Sequence, residues 1–401
     1  MRIVWLSQYP VDIIPDDYVV YDKSKVFHPS TWVVNLADGL AKSDEIELHI
    51  ITESSWVKKD YRFKYNNINF HILRSPYSIP FTTKNIRGLY HFDILTKYYF
   101  SYLKFKKEIY SINPDLIHSQ GTEGLYSYVA SKTSYPYLIT LNGIISILGN
   151  MYEGKIWKPI SLMEKETIVK SNFFISHADF CDEFIRNLNK NAKIFKIDDI
   201  TKDEYFNIKR EPVKNSILFI AYPTKTKGLK ELILTFNEIY FQYDDIKIIV
   251  VGNYDENYKK SLLSLLKSHE AKDKIIFKGF LSNQNLLIEF SKADLFVFPS
   301  YFETSPNVIM EAMSAGVPII TTNVGGIPDM ISDGYTGLLV EPKNSVDLKS
   351  KITFLLDNPE LKVFLGNNAR IEAKKRFKNK IVVEKVLSAY KYVIDNSNKI
   401  K

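Results

Sequence analysis

Short apolar runs rich in β-branched and aromatic residues alternate with stretches of helical periodicity along the whole chain. In the first half the runs read RIVWLS, IELHIIT, DLIHS, YPYLITL and NFFIS. Between them, Thr31–Lys42, Leu95–Tyr110 and Ile156–Lys170 carry helical patterns. In the second half SILFIA, IKIIVVG, KIIFKG, ADLFVFPS, VPIITT and GLLVEP are again separated by helix-length segments. Continuous apolar strands between helices predict parallel sheets covered on both faces. There are two such series, and the charged stretch near Lys202–Lys214, with Pro212, predicts the break between them. The expectation is therefore an α/β protein of two Rossmann-like domains, residues 1–205 and 206–375. Residues 376–401 form a basic helix that returns toward the first domain. Two such domains facing each other open a cleft at the carboxyl ends of their strands. No G-x-G-x-x-G follows the first strand, which disfavours dinucleotide binding of the dehydrogenase kind.

Composition changes this picture little. With 401 residues, 45% of them hydrophobic and 25% charged, the chain has material for two cores. Cys181 is the one cysteine, so no intrachain disulfide forms and a reducing compartment fits. Ile3–Leu6 is too short for a signal-peptide core, and no run approaches 18 apolar residues. A cytoplasmic location is expected. Charge matters more, because the net +7 is uneven. Between Trp56 and Lys107 eleven cations face only Asp60 and Asp93, among them Lys97, Lys104, Lys106 and Lys107. Trp56, Tyr61, Phe63, Tyr65, Phe81, Tyr90 and Phe92 share that region. In Leu95–Tyr110 the pattern predicts Leu95, Tyr98, Tyr99, Tyr102, Leu103, Ile109 and Tyr110 on one face, with Lys97, Ser101, Lys104 and Glu108 on the other. Interfacial aromatics with lysine fit an anionic membrane surface better than nucleic acid.

Chemistry concentrates in Phe296–Ile331, FVFPSYFETSPNVIMEAMSAGVPIITTNVGGIPDMI. A strand ending at Pro299 leads into a loop. Ser305 stands where an N-cap belongs, with Pro306 at the first helical position. Gly316 ends the helix, which leaves Glu303 in the loop and Glu311 eight residues on, inside the helix. Val308, Ile309, Met310, Ala312, Met313 and Ala315 leave the helix almost no polar face. An ionised Glu311 there needs a partner, either hydroxyls of a ligand or a structural arginine or backbone amide. Unpaired N–H groups at the helix start offer a phosphate site beside both glutamates.

This stretch closely resembles the signature of retaining glycosyltransferases of family 4. That signature is a Glu-x7-Glu pair within F-E-x-x-P-N-V-I-x-E-A-M-A-x-G-x-P-V-I, followed by G-G-x-P-E-x-I and D-G-x-x-G-x-L-V. Asp333–Gly334, Gly337 and Leu339–Val340 match its tail. PDLIHSQG at Pro114–Gly121, Lys227–Gly228 and FKGFL at Phe277–Leu281 extend the likeness over most of the chain. The resemblance implies a GT-B fold and retaining transfer from a nucleotide-sugar to a glycan or lipid-linked acceptor, in cell-surface polysaccharide synthesis. It implies that Glu303 contacts the donor sugar, Glu311 the ribose and Lys227 the diphosphate. Amides of the loop made by Thr304, Ser305, Pro306, Asn307 and Val308, proline's excepted, hold that diphosphate, and Leu281 lies by the base. It implies no cofactor and no metal.

Three departures qualify the likeness. Ala221–Tyr222 stand where the family has Gly-Arg, so a diphosphate-binding arginine is missing; Lys225 is either its substitute or a solvated loop lysine. Asn142–Gly143 stand in place of His-Gly, which puts Asn142 forward as the residue near the reacting carbon, with Gly143 beside it. The early Gly-Gly loop reads HPSTW, with His28 at the cleft edge or in a packing role. His118 ends a strand, with Gln120 and Glu123 following it toward the cleft; it is either a site residue or a satisfied core histidine. The losses leave a second reading open, a weakened GT-B subunit that serves as a partner of another transferase.

Overall fold

The computed structural model describes residues 1–19, 31–76, 93–122, 124–149, 157–222 and 224–397. His28 and Glu123 lie outside them. The chain divides into two compact units: Met1–Asp199 together with Val382–Lys401, and Ile200–Ile381.

The first unit is built on β1 (Arg2–Leu6), β2 (Glu47–Ser54), β3 (Tyr61–Tyr65), β4 (Ile68–Arg74), β5 (Leu116–Gln120), β6 (Tyr137–Thr140), β7 (Phe173–Ser176) and β8 (Lys193–Lys196). Their order in the sheet is β3-β4-β2-β1-β5-β6-β7-β8. Every pairing is parallel except β3 with β4. That hairpin and β8 escape the pattern reading above, which seeks long apolar runs. β3 alternates half-buried and exposed positions (YRFKY), and its turn is Asn66–Asn67, both at positive φ. Two left-handed residues are what a two-residue hairpin turn requires, and asparagine tolerates them well.

Helix Tyr99–Ile112 starts later than its periodicity predicts, because Lys97 and Tyr98 adopt left-handed backbone (φ 52° and 57°). Its faces are also partly reversed from the expectation. Ser101, Phe105, Glu108, Ile109 and Ile112 are buried, whereas Leu95, Tyr99, Phe100, Leu103 and Tyr110 are exposed. The unread hairpin explains this. Arg62 of β3 grips the Glu108 carboxylate with two bonds of 2.7 Å, and His71 of β4 reaches it at 2.7 Å. Burial alone would raise the Glu108 pKa, but the bonds from His71 and Arg62 outweigh it and hold the group at about 2. A glutamate so paired can sit inside, and that turns the aromatic face outward.

The closing helix, Asn379–Ser397, belongs to the first unit from Val382 on. Buried Tyr390 receives a bond of 2.8 Å from Trp5 Nε1 on β1 and lies 2.7 Å from His118 Nδ1 on β5. The Tyr390 hydroxyl thus accepts from the indole, which can only donate, and links it to the imidazole, whose Nε2 lies 2.7 Å from Thr140 Oγ1.

The second unit carries β9 (Ser216–Ile220), β10 (Lys247–Val251), β11 (Ile275–Gly279), β12 (Leu295–Phe298), β13 (Ile319–Thr322) and β14 (Leu338–Val340). All pairings are parallel, in the order β11-β10-β9-β12-β13-β14. In chain order this reads 3-2-1-4-5-6, so direction reverses between β9 and β12. Such a switch point, at the carboxyl ends of the strands, is where open α/β sheets bind ligands.

Candidate functional site

The loops that leave β9 and β12 meet at that switch point in the second unit. Lys227 lies at the end of the short 3-10 turn Lys225–Lys227, and its ammonium donates to Glu303 Oε1 at 2.6 Å. Ser300, fully buried, donates to the same oxygen at 2.6 Å. Two glycines permit this approach. A Cβ on Gly228 (φ +77°) would stand 1.9 Å from the Pro299 carbonyl oxygen, so only glycine lets the Lys227 loop close on the end of β12. A Cβ on Gly325 (φ +55°) would stand 1.9 Å from the Glu303 carbonyl oxygen, to which the next residue, Gly326, donates at 3.0 Å. The Gly-Gly pair after β13 thus clamps the backbone of Glu303 from the other side.

The helix after this loop spans Asn307–Ala315, and its N-cap is Pro306 rather than Ser305. No side chain caps it. Thr304 is buried, and Ser305, Asn307 and Val308 are half-buried in the same loop. Glu311 is half-buried, and its protein neighbours are the Tyr205 hydroxyl and the Lys202 ammonium rather than an arginine or a backbone amide. Burial pushes its pKa up to about 7, while the Tyr205 hydroxyl and the Lys202 ammonium pull the other way. Tyr205 is itself buried, and its hydroxyl lies 3.1 Å from Oδ1 of Asn283, two residues beyond Leu281. Leu281 packs half-buried against the core at the end of the β11 loop. Lys225 is exposed.

In the first unit, strand ends carry a second group of polar residues. His118 is fully buried with both ring nitrogens engaged, and burial drives its pKa down to about 3. It is a neutral core residue, the second of the two readings that the sequence leaves open. Asn142 and Gly143 follow β6, and Glu164 of helix Trp157–Lys170 fixes the turn that carries them. The buried Glu164 carboxylate accepts from Ile145 N (3.0 Å), Ser146 N (2.7 Å), Ser146 Oγ (2.6 Å) and Thr122 Oγ1 (2.7 Å). Thr122 Oγ1 also lies 3.3 Å from the Gly143 carbonyl. Asn142 Oδ1 is buried and has no hydrogen-bond partner.

Sequence reading passes over Ser300, Tyr205 and Glu164. Glu164 carries a legible signal, since it falls on the buried stripe of Ile160, Met163, Thr167 and Ile168 in its helix. Tyr205 carries none, because it lies in the charged stretch taken as a boundary.

Residues 201–372 match the family model for glycosyl transferases group 1. An uncharacterized glycosyltransferase of Methanocaldococcus jannaschii is 29% identical over 96% of this chain and 98% of its own length. The N,N'-diacetylbacillosaminyl-diphospho-undecaprenol alpha-1,3-N-acetylgalactosaminyltransferase of Campylobacter jejuni is 28% identical over 72% of this chain and 80% of its own. An Anabaena protein solved in complex with UDP and glucose superposes with a TM-score of 0.68 at 14% identity, covering 98% of this chain and 100% of that one. The parallel sheets of the two units and these likenesses converge: the chain has the GT-B fold, and its residues 201–372 are similar to the glycosyl transferases group 1.

Proposed function

We propose that the protein transfers a sugar, with retention at the anomeric carbon, from a nucleotide-sugar to a glycan or lipid-linked acceptor used in cell-surface polysaccharide synthesis. The observation that carries this is the Lys227–Glu303 pair, 2.6 Å apart at the β9/β12 switch point. Without a donor the two charges satisfy each other. A diphosphate offers Lys227 a stronger partner, and its arrival releases Glu303 to accept from hydroxyls of the sugar. The uncapped start of helix Asn307–Ala315 adds backbone N–H groups and the positive end of the helix dipole. Glu311 takes the ribose, and Leu281 takes a place at the base. Lys225 is the remaining cation offered to the diphosphate. The proposal contains no metal, since these groups supply the positive charge against which the leaving phosphate develops.

In the first unit Asn142, held by the Glu164-bound turn, is assigned to the reacting sugar. An amide both donates and accepts without titrating, and in a same-face displacement the leaving phosphate can take the acceptor proton. The lipid-linked acceptor follows the undecaprenol-diphosphate in the Campylobacter relative's name and the exposed aromatic and basic face of helix Tyr99–Ile112. A peripheral position on an anionic membrane surface belongs to the same reading. Among the described residues no helix is long and apolar enough to cross a membrane.

A thermal-shift screen of UDP-, GDP- and ADP-sugars, followed by NMR of the product formed with the stabilising donor, tests this. The expected result is stabilisation by one nucleotide class, retention of configuration, and a loss of roughly tenfold or more in turnover for Glu303→Gln. Inversion of configuration would overturn retention. Donor binding without hydrolysis or transfer would favour the weakened-subunit reading instead.

A further inference from the structure

The first sheet has a switch point of its own, where β2 lies on one side of β1 and β5 on the other. Gln120 is the last residue of β5, at that edge, and is only 7% exposed. Its Nε2 is buried and has no hydrogen-bond partner. Gln120 is in register with Thr140, the last residue of β6, and Asn142, with its own buried and unpartnered Oδ1, follows two residues past that strand's end. Strand spacing combined with a two-residue step corresponds to a span of roughly 8 Å, which a pyranose ring with its hydroxyls can bridge. Below them on the same pleat, His118, Thr140, Tyr390 and Trp5 are joined to one another by three hydrogen bonds. The polar network therefore closes beneath Gln120 and leaves the two amides unanswered at its top. A buried amide donor without a partner costs about 1–3 kcal/mol, and such a cost is recovered when a ligand supplies the missing group.

We infer that Gln120 and Asn142 form a paired-amide reader for a carbohydrate hydroxyl at the carboxyl edge of β5 and β6. Gln120 donates to the hydroxyl oxygen while Asn142 accepts its proton. This rests on the transferase reading above. The hydroxyl comes from either the donor sugar or the acceptor, and the two sources separate experimentally.

The test uses the full-length protein and Gln120→Met, which keeps volume and removes both amide groups. Its substrate is whichever of UDP-glucose, UDP-N-acetylglucosamine, UDP-N-acetylgalactosamine or GDP-mannose stabilises the wild type most. Hydrolysis of that donor is measured alone, and transfer is measured to an octyl glycoside. Melting temperature should be unchanged or raised in Gln120→Met, because an unsatisfied donor has been removed. If the donor sugar is read, hydrolysis falls roughly tenfold while stabilisation by free UDP or GDP is retained. If the acceptor is read, hydrolysis is retained and the glycoside KM rises by a similar factor. Wild-type rates of both reactions would overturn the inference. So would a clear drop in melting temperature without a kinetic change, which marks Gln120 as holding a buried water. A wild type that none of the four donors stabilises or serves as substrate would instead bring down the transferase reading, and this inference with it.

Discussion

Glu303 and Glu311 are separated by eight residues and by two different physical situations. Glu303 shares one oxygen between a lysine and a serine, so its charge is compensated before any ligand arrives. Glu311 is held near pH 7 by burial, with only Tyr205 and Lys202 favouring its ionised form. A carboxyl whose folded pKa is raised loses stability for the fold as pH climbs from its ordinary 4.5 toward about 7. Ribose hydroxyls reverse that cost, since they donate best to the ionised form. Donor KM is therefore expected to fall as pH rises from about 6 to about 8, and Glu311→Gln should flatten the dependence while leaving the enzyme folded. A wild-type KM independent of pH across that window, measured with saturating acceptor, would remove Glu311 from the donor site. At this scale much was legible. The motif singled out both glutamates and Lys227, because spacing along a chain survives into loop and helix geometry. Tyr205 and Ser300 were not legible, since their meaning comes from which strand end or helix they fold against.

At the scale of elements, pattern reading located both sheets through their central strands, whose apolar runs are nearly unbroken. It missed the β3–β4 hairpin, because a strand with one covered face alternates instead of running apolar. That omission had a consequence for helix Tyr99–Ile112, whose buried face could be assigned only with Arg62 and His71 in place opposite Glu108. The corrected face strengthens the case for a surface partner. Tyr99, Phe100, Leu103 and Tyr110 project outward with Lys106 and Lys107, while Lys97 and Lys104 are committed to Glu166 and Asp60. Lys106 and Lys107 are thus the cations to neutralise. Paired Lys106→Gln and Lys107→Gln changes should weaken binding to phosphatidylserine or phosphatidylglycerol vesicles by roughly tenfold or more, at about 1 kcal/mol per charge. Leu103→Ser should weaken it further by removing apolar area. Sedimentation with neutral phosphatidylcholine vesicles is the comparison, and equal binding to both vesicle types would contradict the electrostatic contribution. Raising salt should release the wild type, because exposed charges are screened within about 8 Å at physiological ionic strength.

For the whole molecule, the decisive feature is that chain order and structural units do not coincide. The large core of the second unit draws its buried residues only from Tyr205 to Phe377. Among the described residues that cluster takes none from either end of the chain, and Lys227, Ser300, Glu303, Glu311 and Tyr205 all lie within it or on its loops. The first unit is different, because it is completed by the last stretch of sequence. Remove Tyr390 and two buried polar groups lose their partner at once, Trp5 Nε1 on β1 and His118 Nδ1 on β5. Each unsatisfied group costs about 1–3 kcal/mol, and the apolar contacts of Val382, Val386, Leu387 and Val393 go with them. A fragment of residues 200–381 is therefore expected to fold cooperatively and to be stabilised by free UDP or GDP, with the shift growing as the logarithm of nucleotide concentration. A chain ending at residue 381 should keep that nucleotide-sensitive transition and lose the melting transition of the first unit. Tyr390→Phe should lower the same transition without abolishing it, by several degrees for a loss of this size. Differential scanning calorimetry of the three proteins with and without nucleotide separates these outcomes. A fragment 200–381 that is unfolded, or folded but indifferent to every nucleotide tried, would show that the donor-binding groups do not act within that unit alone.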